Sequence, residues 1–242
     1  MIKLKINVKL LFSFLVLLNG LIACYLEETK SSIPLLHEEF SINPVTILED
    51  ISQDKKDIFI PVETRVPNSE YIPVNWSQED YITIAGSIHK LAWNEELHDW
   101  KINSILFYLQ CKEVSYGSQS VYFTYFKVIE NDKEENRLVH NIVIQPQEKI
   151  VGAWFEKYSR LTATWEEYKI SEFNITSDEA LLIAEDNGGK LYRENNNNDC
   201  SISISLNRKN RNNKDWAVTY YGDSYNFEII IDPKTGEYRL NK

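Results

Sequence analysis

Ile229-Ile230-Ile231-Asp232-Pro233 ends the last long apolar run of the chain, and Ile142-Val143-Ile144-Gln145-Pro146 ends an earlier run in the same way. β-Branched side chains crowd a helix and fit a pleated, half-buried surface. Proline cannot donate to the ladder of a central strand, so each run reads as a strand that stops at the proline. Two strand-like runs precede each of these. They are Ile102 to Glu113 and Ser120 to Glu130 before Arg137 to Gln145, and Ser201 to Leu206 and Trp216 to Tyr221 before Asn226 to Asp232. Ser201-Ile202-Ser203-Ile204-Ser205-Leu206 alternates strictly, which requires one wet and one buried face.

A helix precedes each set of strands. Ser77-Gln78-Glu79-Asp80 opens the first: a capping serine, acids in the first turn, then Tyr81, Ile84, Ala85, Ile88, Leu91 and Ala92 at helical spacing. Thr176-Ser177-Asp178-Glu179 matches the capping box and opens the second, with Ala180, Ile183 and Ala184 on one face. Asn187-Gly188-Gly189 offers residues for a left-handed stop. The fold class expected is α+β in two similar units, residues 75–160 and 161–242. Each unit has one helix on an antiparallel sheet of about three or four strands.

The N-terminus is an address. Lys3, Lys5 and Lys9 precede an almost wholly apolar run from Leu10 to Ala23, too short for a membrane span of ~20 residues and typical of a secretory signal. Leu21-Ile22-Ala23-Cys24 resembles the bacterial lipobox, which implies a signal peptide of residues 1–23 and a lipid on Cys24. Several acyl chains anchor where one does not, at ~0.8 kcal/mol per buried methylene. Removing residues 1–23 takes three lysines and no acids, leaving 23 basic against 36 acidic groups and a formal charge of −13. The expected place is the outside of a bacterial cell membrane or outer membrane, with the acidic body held off anionic headgroups.

Five of the seven prolines, Pro34, Pro44, Pro61, Pro67 and Pro73, lie within residues 24–74. With ten acids against four bases between Glu27 and Glu70, that segment reads as an extended acidic tether. Ile58-Phe59-Ile60-Pro61-Val62 is apolar enough to lie on the body as an edge strand. Export makes Cys111 and Cys200 an even pair that reads as a disulfide or as two buried thiols, and spacing alone leaves both open.

In Asp232-Pro233-Lys234-Thr235-Gly236-Glu237 the aspartate caps a turn, proline presets φ, and Gly236 takes a positive φ so that Tyr238-Arg239-Leu240 can return. The capped helix, Trp216-Ala217-Val218-Thr219-Tyr220 and the strand running into this turn resemble the PepSY domain family over residues 170–242. The first unit resembles a degenerate copy, with Gln145 at the aspartate position and Lys149 at the glycine position. The resemblance implies an exported or membrane-linked module that binds protein or peptide, associated with modulation of secreted peptidases, and no catalysis. Read mechanically, Asp232, Thr235 and Gly236 build a hairpin.

Catalytic signatures are missing from the sequence. Gly117-Ser118-Gln119-Ser120 lacks the second glycine of a nucleophile elbow, and the eight glycines form neither a phosphate loop nor a dinucleotide fingerprint. His37, His89, His98 and His140 have no metal-ligand spacing, so no metal or cofactor is expected. Cys111 with His140 is the one nucleophile–base pairing worth naming. Glu166-Glu167 beside Trp165 is the adjacency expected of a chain with 36 acids. That acidity also argues against nucleic acid as a partner.

Thirty aromatic residues remain to be placed, and Tyr122-Phe123-Thr124-Tyr125-Phe126 puts rings on both faces of one strand. The expected function is therefore a lipid-anchored, non-catalytic envelope protein that binds a protein or peptide by a sheet edge or aromatic face. An envelope hydrolase with a site between the units, or a structural subunit of an envelope complex, are the alternatives.

Overall fold

Ser77 and Thr176 each open a helix with a complete capping box. The hydroxyl accepts the backbone N–H of Asp80 or Glu179, and that acid accepts the cap's own N–H in return. The computed structural model describes residues 36–64, 72–129, 136–158, 167–206 and 214–241. The signal segment, Cys24, Trp165 and Glu166 lie outside the described residues. A short helix, α1 (Ile47–Ser52), precedes α2 (Gln78–Trp93), which buries Tyr81, Ile84, Ala85 and Ile88 and ends at a left-handed Asn94. Leu91, expected on that apolar face, is half exposed instead.

The third helix starts as α3 (Ser177–Ala184) and breaks at Asn187 and Gly188, whose backbone angles are not helical. Gly188, left-handed at φ 118°, kinks the chain within Glu185–Gly189, and a helix resumes as α4 (Lys190–Asn195). Asn187 Nδ2 donates to the Ile183 carbonyl at 2.8 Å across the kink. A side chain at Gly189 would run into the Tyr220 hydroxyl. Gly188 thus takes the left-handed conformation expected of a stop, at the kink between two helices, and Gly189 allows a close approach.

Ten strands form one antiparallel sheet. β1 (Leu36–Ser41) and β2 (Ile60–Pro61) come from the N-terminal segment. β3 (Lys101–Gln110), β4 (Ser120–Ile129), β5 (Asn136–Gln145) and β6 (Ile150–Tyr158) follow α2. β7 (Ser201–Leu206), β8 (Trp216–Tyr221), β9 (Asn226–Ile231) and β10 (Tyr238–Asn241) follow α4. The order is β10-β9-β8-β7-β3-β4-β5-β6-β1-β2.

Two sequence expectations are corrected here. Residues 75–160 and 161–242 do not make two separate units, because β3 and β7 pair from Leu106–Ser205 to Gln110–Ser201 and fuse the halves into one sheet. Fusion gives the first strand of each half a partner for backbone groups that would otherwise be left at an edge. Residues 24–74 are not all tether: β1 runs along β6 over six residue pairs, and Phe40, Ile42 and Ile47 are buried. Polar His37, Glu38 and Glu39 hide this strand in the sequence, and polar side chains are what a strand near a sheet edge tolerates. Ile60 and Pro61 do form the outermost edge strand, opposite Ser41 and Phe40.

The core lies between the sheet and its helices. Side chains alternate across the sheet, and one face carries Phe107, Phe123, Ile142, Ile204 and Trp216, all buried with Tyr81, Ile84 and Ile88 of α2 and Ala180 and Ala184 of α3. Residues Pro34–Lys242 form one compact unit. Among the described residues no helix is long and apolar enough to cross a membrane.

Candidate functional site

With the helices on one face, the opposite face of the sheet carries polar rows and aromatic rings; Asn141, Glu156, Ser203 and Thr219 in those rows are buried, and the exposed rings are Tyr122 and Tyr221. Register sets two polar rows on it. In the first, Thr124, Asn141, Trp154 and His37 lie side by side across β4, β5, β6 and β1. Thr124 Oγ1 donates to Asn141 Oδ1 at 3.0 Å, while Asn141 Nδ2 and Trp154 Nε1 donate to Glu156 Oε1 at 3.3 and 2.9 Å. In the second row Tyr108, Ser203, Thr219, Glu228 and Asn241 lie side by side from β3 to β10. Thr219 Oγ1 donates to Glu228 Oε1 at 3.0 Å, Asn241 Nδ2 bonds Glu228 Oε2, and Ser203 pairs with the Tyr221 hydroxyl.

Aromatic rings frame these rows. Tyr122 and Tyr221 are 38% and 42% exposed on the same face, enough for each to meet a partner's surface. Tyrosine and tryptophan give large contact area at low entropy cost. Glu156 and Glu228 sit on strands six positions apart in the sheet order, roughly 29 Å at ~4.8 Å per strand. They cannot flank one bond, which glycoside chemistry demands at ~5–9.5 Å.

The second exposed feature is the β10 edge. Asp232 N–H donates to the Glu237 carbonyl at 2.8 Å, which marks a hydrogen-bonded pair. Antiparallel alternation then turns the backbone groups of Tyr238 and Leu240 outward, and both side chains are about half exposed.

Asp232, Thr235 and Gly236 occupy the turn before that edge and act structurally there. Asp232 Oδ1 accepts the N–H groups of Lys234 and Thr235 at 2.7 and 3.0 Å, and these bonds hold its carboxyl below the usual range. Thr235 Oγ1 accepts Glu237 N–H at 3.2 Å, and Gly236 is left-handed at φ 75°. The Pro233 carbonyl accepts both Asn174 and Ile175 N–H at 2.9 Å, clamping the chain that leads into α3.

Cys111 and Cys200 form a disulfide with Cα atoms 5.2 Å apart, just beyond the paired ends of β3 and β7. A disulfide suggests an oxidising, extracytoplasmic location. It also removes the Cys111–His140 pairing as a nucleophile and its base, since the sulfur is bonded and His140 lies elsewhere on β5. Glu167 pairs with Lys101 at 3.1 Å.

Sequence reading missed one cluster altogether. His140 Nδ1 lies 2.9 Å from His89 Nε2, and His89 Nδ1 lies 3.0 Å from the Glu95 carbonyl. Trp93 stacks on His140 at 3.8 Å and 14°, and Trp100 stacks on it at 3.7 Å and 22°. Two near-parallel rings at that spacing occupy opposite faces, so the imidazole is sandwiched. The histidines are 51 residues apart, so only the fold unites them. A hint existed in His89 lying one residue past Ile88 on the buried side of α2. Among the described residues no group of three or more His, Cys, Asp or Glu could hold a metal ion.

The chain is thus an α+β protein with helices on one face of a ten-stranded antiparallel sheet. No family model matches it, and no curated protein matches it. A solved structure from Clostridium difficile, described as a "putative lipoprotein", aligns with 73% of this chain and 99% of its own at 16% identity and a TM-score of 0.42.

Proposed function

We propose that this chain is a lipid-anchored cell-envelope protein, fixed through Cys24, whose helix-free sheet face, through its exposed tyrosines, and β10 edge bind a protein or peptide without catalysis. The observation that carries the reading is the division of the sheet: helices cover one face, and the other presents half-exposed Tyr122 and Tyr221 among ordered polar rows. The outward backbone of Tyr238 and Leu240 suits addition of an extended strand. The lipobox supports attachment, and the disulfide supports export.

The PepSY-like resemblance belongs to the same reading. Supporting it are the order of helix, strands and Asp232 turn, and a strand order in which the four strands of each half meet at the β7–β3 pairing. Lys149 is left-handed at φ 55° between β5 and β6, as Gly236 is between β9 and β10. A duplicated module would leave such a pair.

Photo-crosslinking residues placed at Tyr122, Tyr221 and Tyr238 in the full lipidated chain test the proposal, with Leu91 on the helix side as control. The expected result is an adduct with an envelope protein from the first three positions alone. Equal labelling from Leu91, or none from any position, overturns it. Cys24→Ala should abolish acyl labelling and leave precursor, and unchanged labelling would overturn the attachment.

A further inference from the structure

We propose that the hydrogen-bonded chain His140–His89–Glu95 is an acid-sensitive latch that pins the C-terminal end of α2 and the following loop to β5, and that acidification opens this corner while the rest of the sheet stays folded.

For two neutral imidazoles the bonding admits one arrangement of protons. A carbonyl oxygen only accepts, so His89 carries its proton on Nδ1 toward Glu95. Its Nε2 is then a bare acceptor, and the proton between the rings belongs to His140 Nδ1. Each imidazole spends its single proton on the chain, and both are neutral. A proton added at His89 Nε2 would either set two N–H groups facing each other across 2.9 Å or drive the His140 proton to Nε2, and in both cases it leaves a cation in a cluster where burial disfavours charge. A proton added at His140 Nε2 would create a cation in a buried slot walled by Trp93, Trp100 and the edge of Phe155.

The charged groups around the latch do little to rescue either cation. From the loop, Glu95 gives His89 its backbone carbonyl, while its carboxylate takes Trp100 Nε1 at 2.9 Å and Lys127 at 3.7 Å. Glu96 is paired with Lys90 of α2 at 2.7 Å, and Asp99 faces Lys127 at 3.9 Å and His98 at 3.4 Å. From β4, Lys127 lies 5.7 Å from the Trp100 ring centre and repels a charge on His140. Also from β4, Tyr125 packs its ring 6.0 Å from His89, and burial raises its hydroxyl. Burial holds His89 below the usual imidazole range, with Glu95 and Glu96 opposing that shift. Burial, then His89 and Lys127, take His140 down to about 3.

The sign follows from linkage. An opened corner protonates its histidines near the ordinary ~6.5, whereas the closed corner keeps them neutral. The latch therefore holds fully above ~6.5 and weakens as pH falls toward the closed-state values. At pH 5 each imidazole that stays neutral in the closed form raises the opening constant ~30-fold.

The position of the latch makes the effect local. It joins the last turn of α2 to β5, far in sheet order from β8 and β9. Asn94 and Trp100 report on it, because their N–H groups bond the Lys90 and Leu97 carbonyls at 2.9 Å.

Amide hydrogen exchange on the full chain tests the proposal, corrected for the intrinsic pH dependence of exchange and paired with NMR titration of both imidazoles. Between pH 7.5 and 5, protection at Asn94 and Trp100 should fall at least tenfold while amides of β8 hold, and His140→Phe should flatten the response. The proposal is overturned by unchanged protection at Asn94 and Trp100, or by loss at β8 in step with them. It is equally overturned if either imidazole of the wild type protonates in that range with both amides still protected, a readout that needs no variant to fold.

Discussion

The side-chain carbonyl of Gln78 accepts the backbone N–H of Ser177 at 2.8 Å, and the two residues hold the same position, the first inside the helix, in α2 and α3. The return bond runs from Gln78 N–H to Asp178 Oδ2 at 3.0 Å. The two helix starts thereby satisfy each other's orphan donors in a place where Ser177 is only 1% exposed. Gln78→Ala strips the acceptor from a buried N–H, so urea unfolding should show a loss of about 1–3 kcal/mol. A loss below ~0.5 kcal/mol would mean that solvent reaches the junction.

Asp178 carries the opposite pH signature to the histidine latch. Its burial raises the carboxyl above the usual range, against the favourable bond from Gln78 N–H. A carboxyl raised by folding stabilises the fold below its unfolded value and loses that contribution as pH rises through the folded one. Asp178→Asn keeps an acceptor for Gln78 and removes the buried charge. The variant should be more stable than the parent at pH 7 and indistinguishable from it at pH 3 in matched denaturant titrations.

Much of this frame was readable from the residues. Ser201–Leu206 and Trp216–Tyr221 begin and end where alternation and the turn residues put them. Ser77 and Thr176 cap as their side chains imply, because capping is decided within four residues. Long-range choices were not readable. The pairing of β3 with β7 depends on which edges meet, β1 is masked by its own charges, and α4 depends on Tyr220 closing over Gly189. The open face was half visible in the rings of Tyr122 to Phe126. The His89–His140 contact was invisible, because neither residue carries a local signal of the other.

Glu185 is held from two sides inside the kinked third helix. Arg193 forks onto its carboxylate, and Tyr220 donates its hydroxyl at 2.7 Å. Arg193 also reaches Asn198 Oδ1 at 2.9 Å and the Cys111 carbonyl at 3.4 Å. Because each partner keeps the others satisfied, removing one should cost more than a surface pair. Tyr220→Phe should lower stability by about 1–2 kcal/mol, and Arg193→Met by about 3 kcal/mol, since it strands the carboxylate. The same two changes combined should fall short of the sum, and thermal unfolding of the four proteins measures the shortfall.

The Cys111–Cys200 bridge spans 89 residues of sequence and ties the two halves where their strands meet. A bridged peptide should appear in a digest made without reductant and disappear with it. Replacing both cysteines by alanine should cost about 2–4 kcal/mol, mostly by freeing the unfolded chain. Intact thiols that react with a maleimide in the native protein would contradict the bridge.

The two hairpin turns permit a reciprocal experiment. Lys149 and Gly236 are both left-handed, at φ 55° and 75°, before the last strand of each half. A residue with a side chain is disfavoured there by roughly 1–2 kcal/mol, and glycine is not, although its freer unfolded chain returns about half of that. In the turn the Lys149 carbonyl accepts from Ile42 N–H and its own N–H donates to the Pro146 carbonyl, and glycine preserves both bonds. Lys149→Gly should therefore stabilise by about 0.5–1 kcal/mol. Gly236→Ala should destabilise by about 1 kcal/mol, because a side chain is strained at that positive φ while its new carbon meets Ile175 only at ordinary contact distance. Opposite shifts in melting temperature are the expected outcome. Two shifts of the same sign would show that the turns are not equivalent, and the reading of the first half as a degenerate copy would lose its best geometric support.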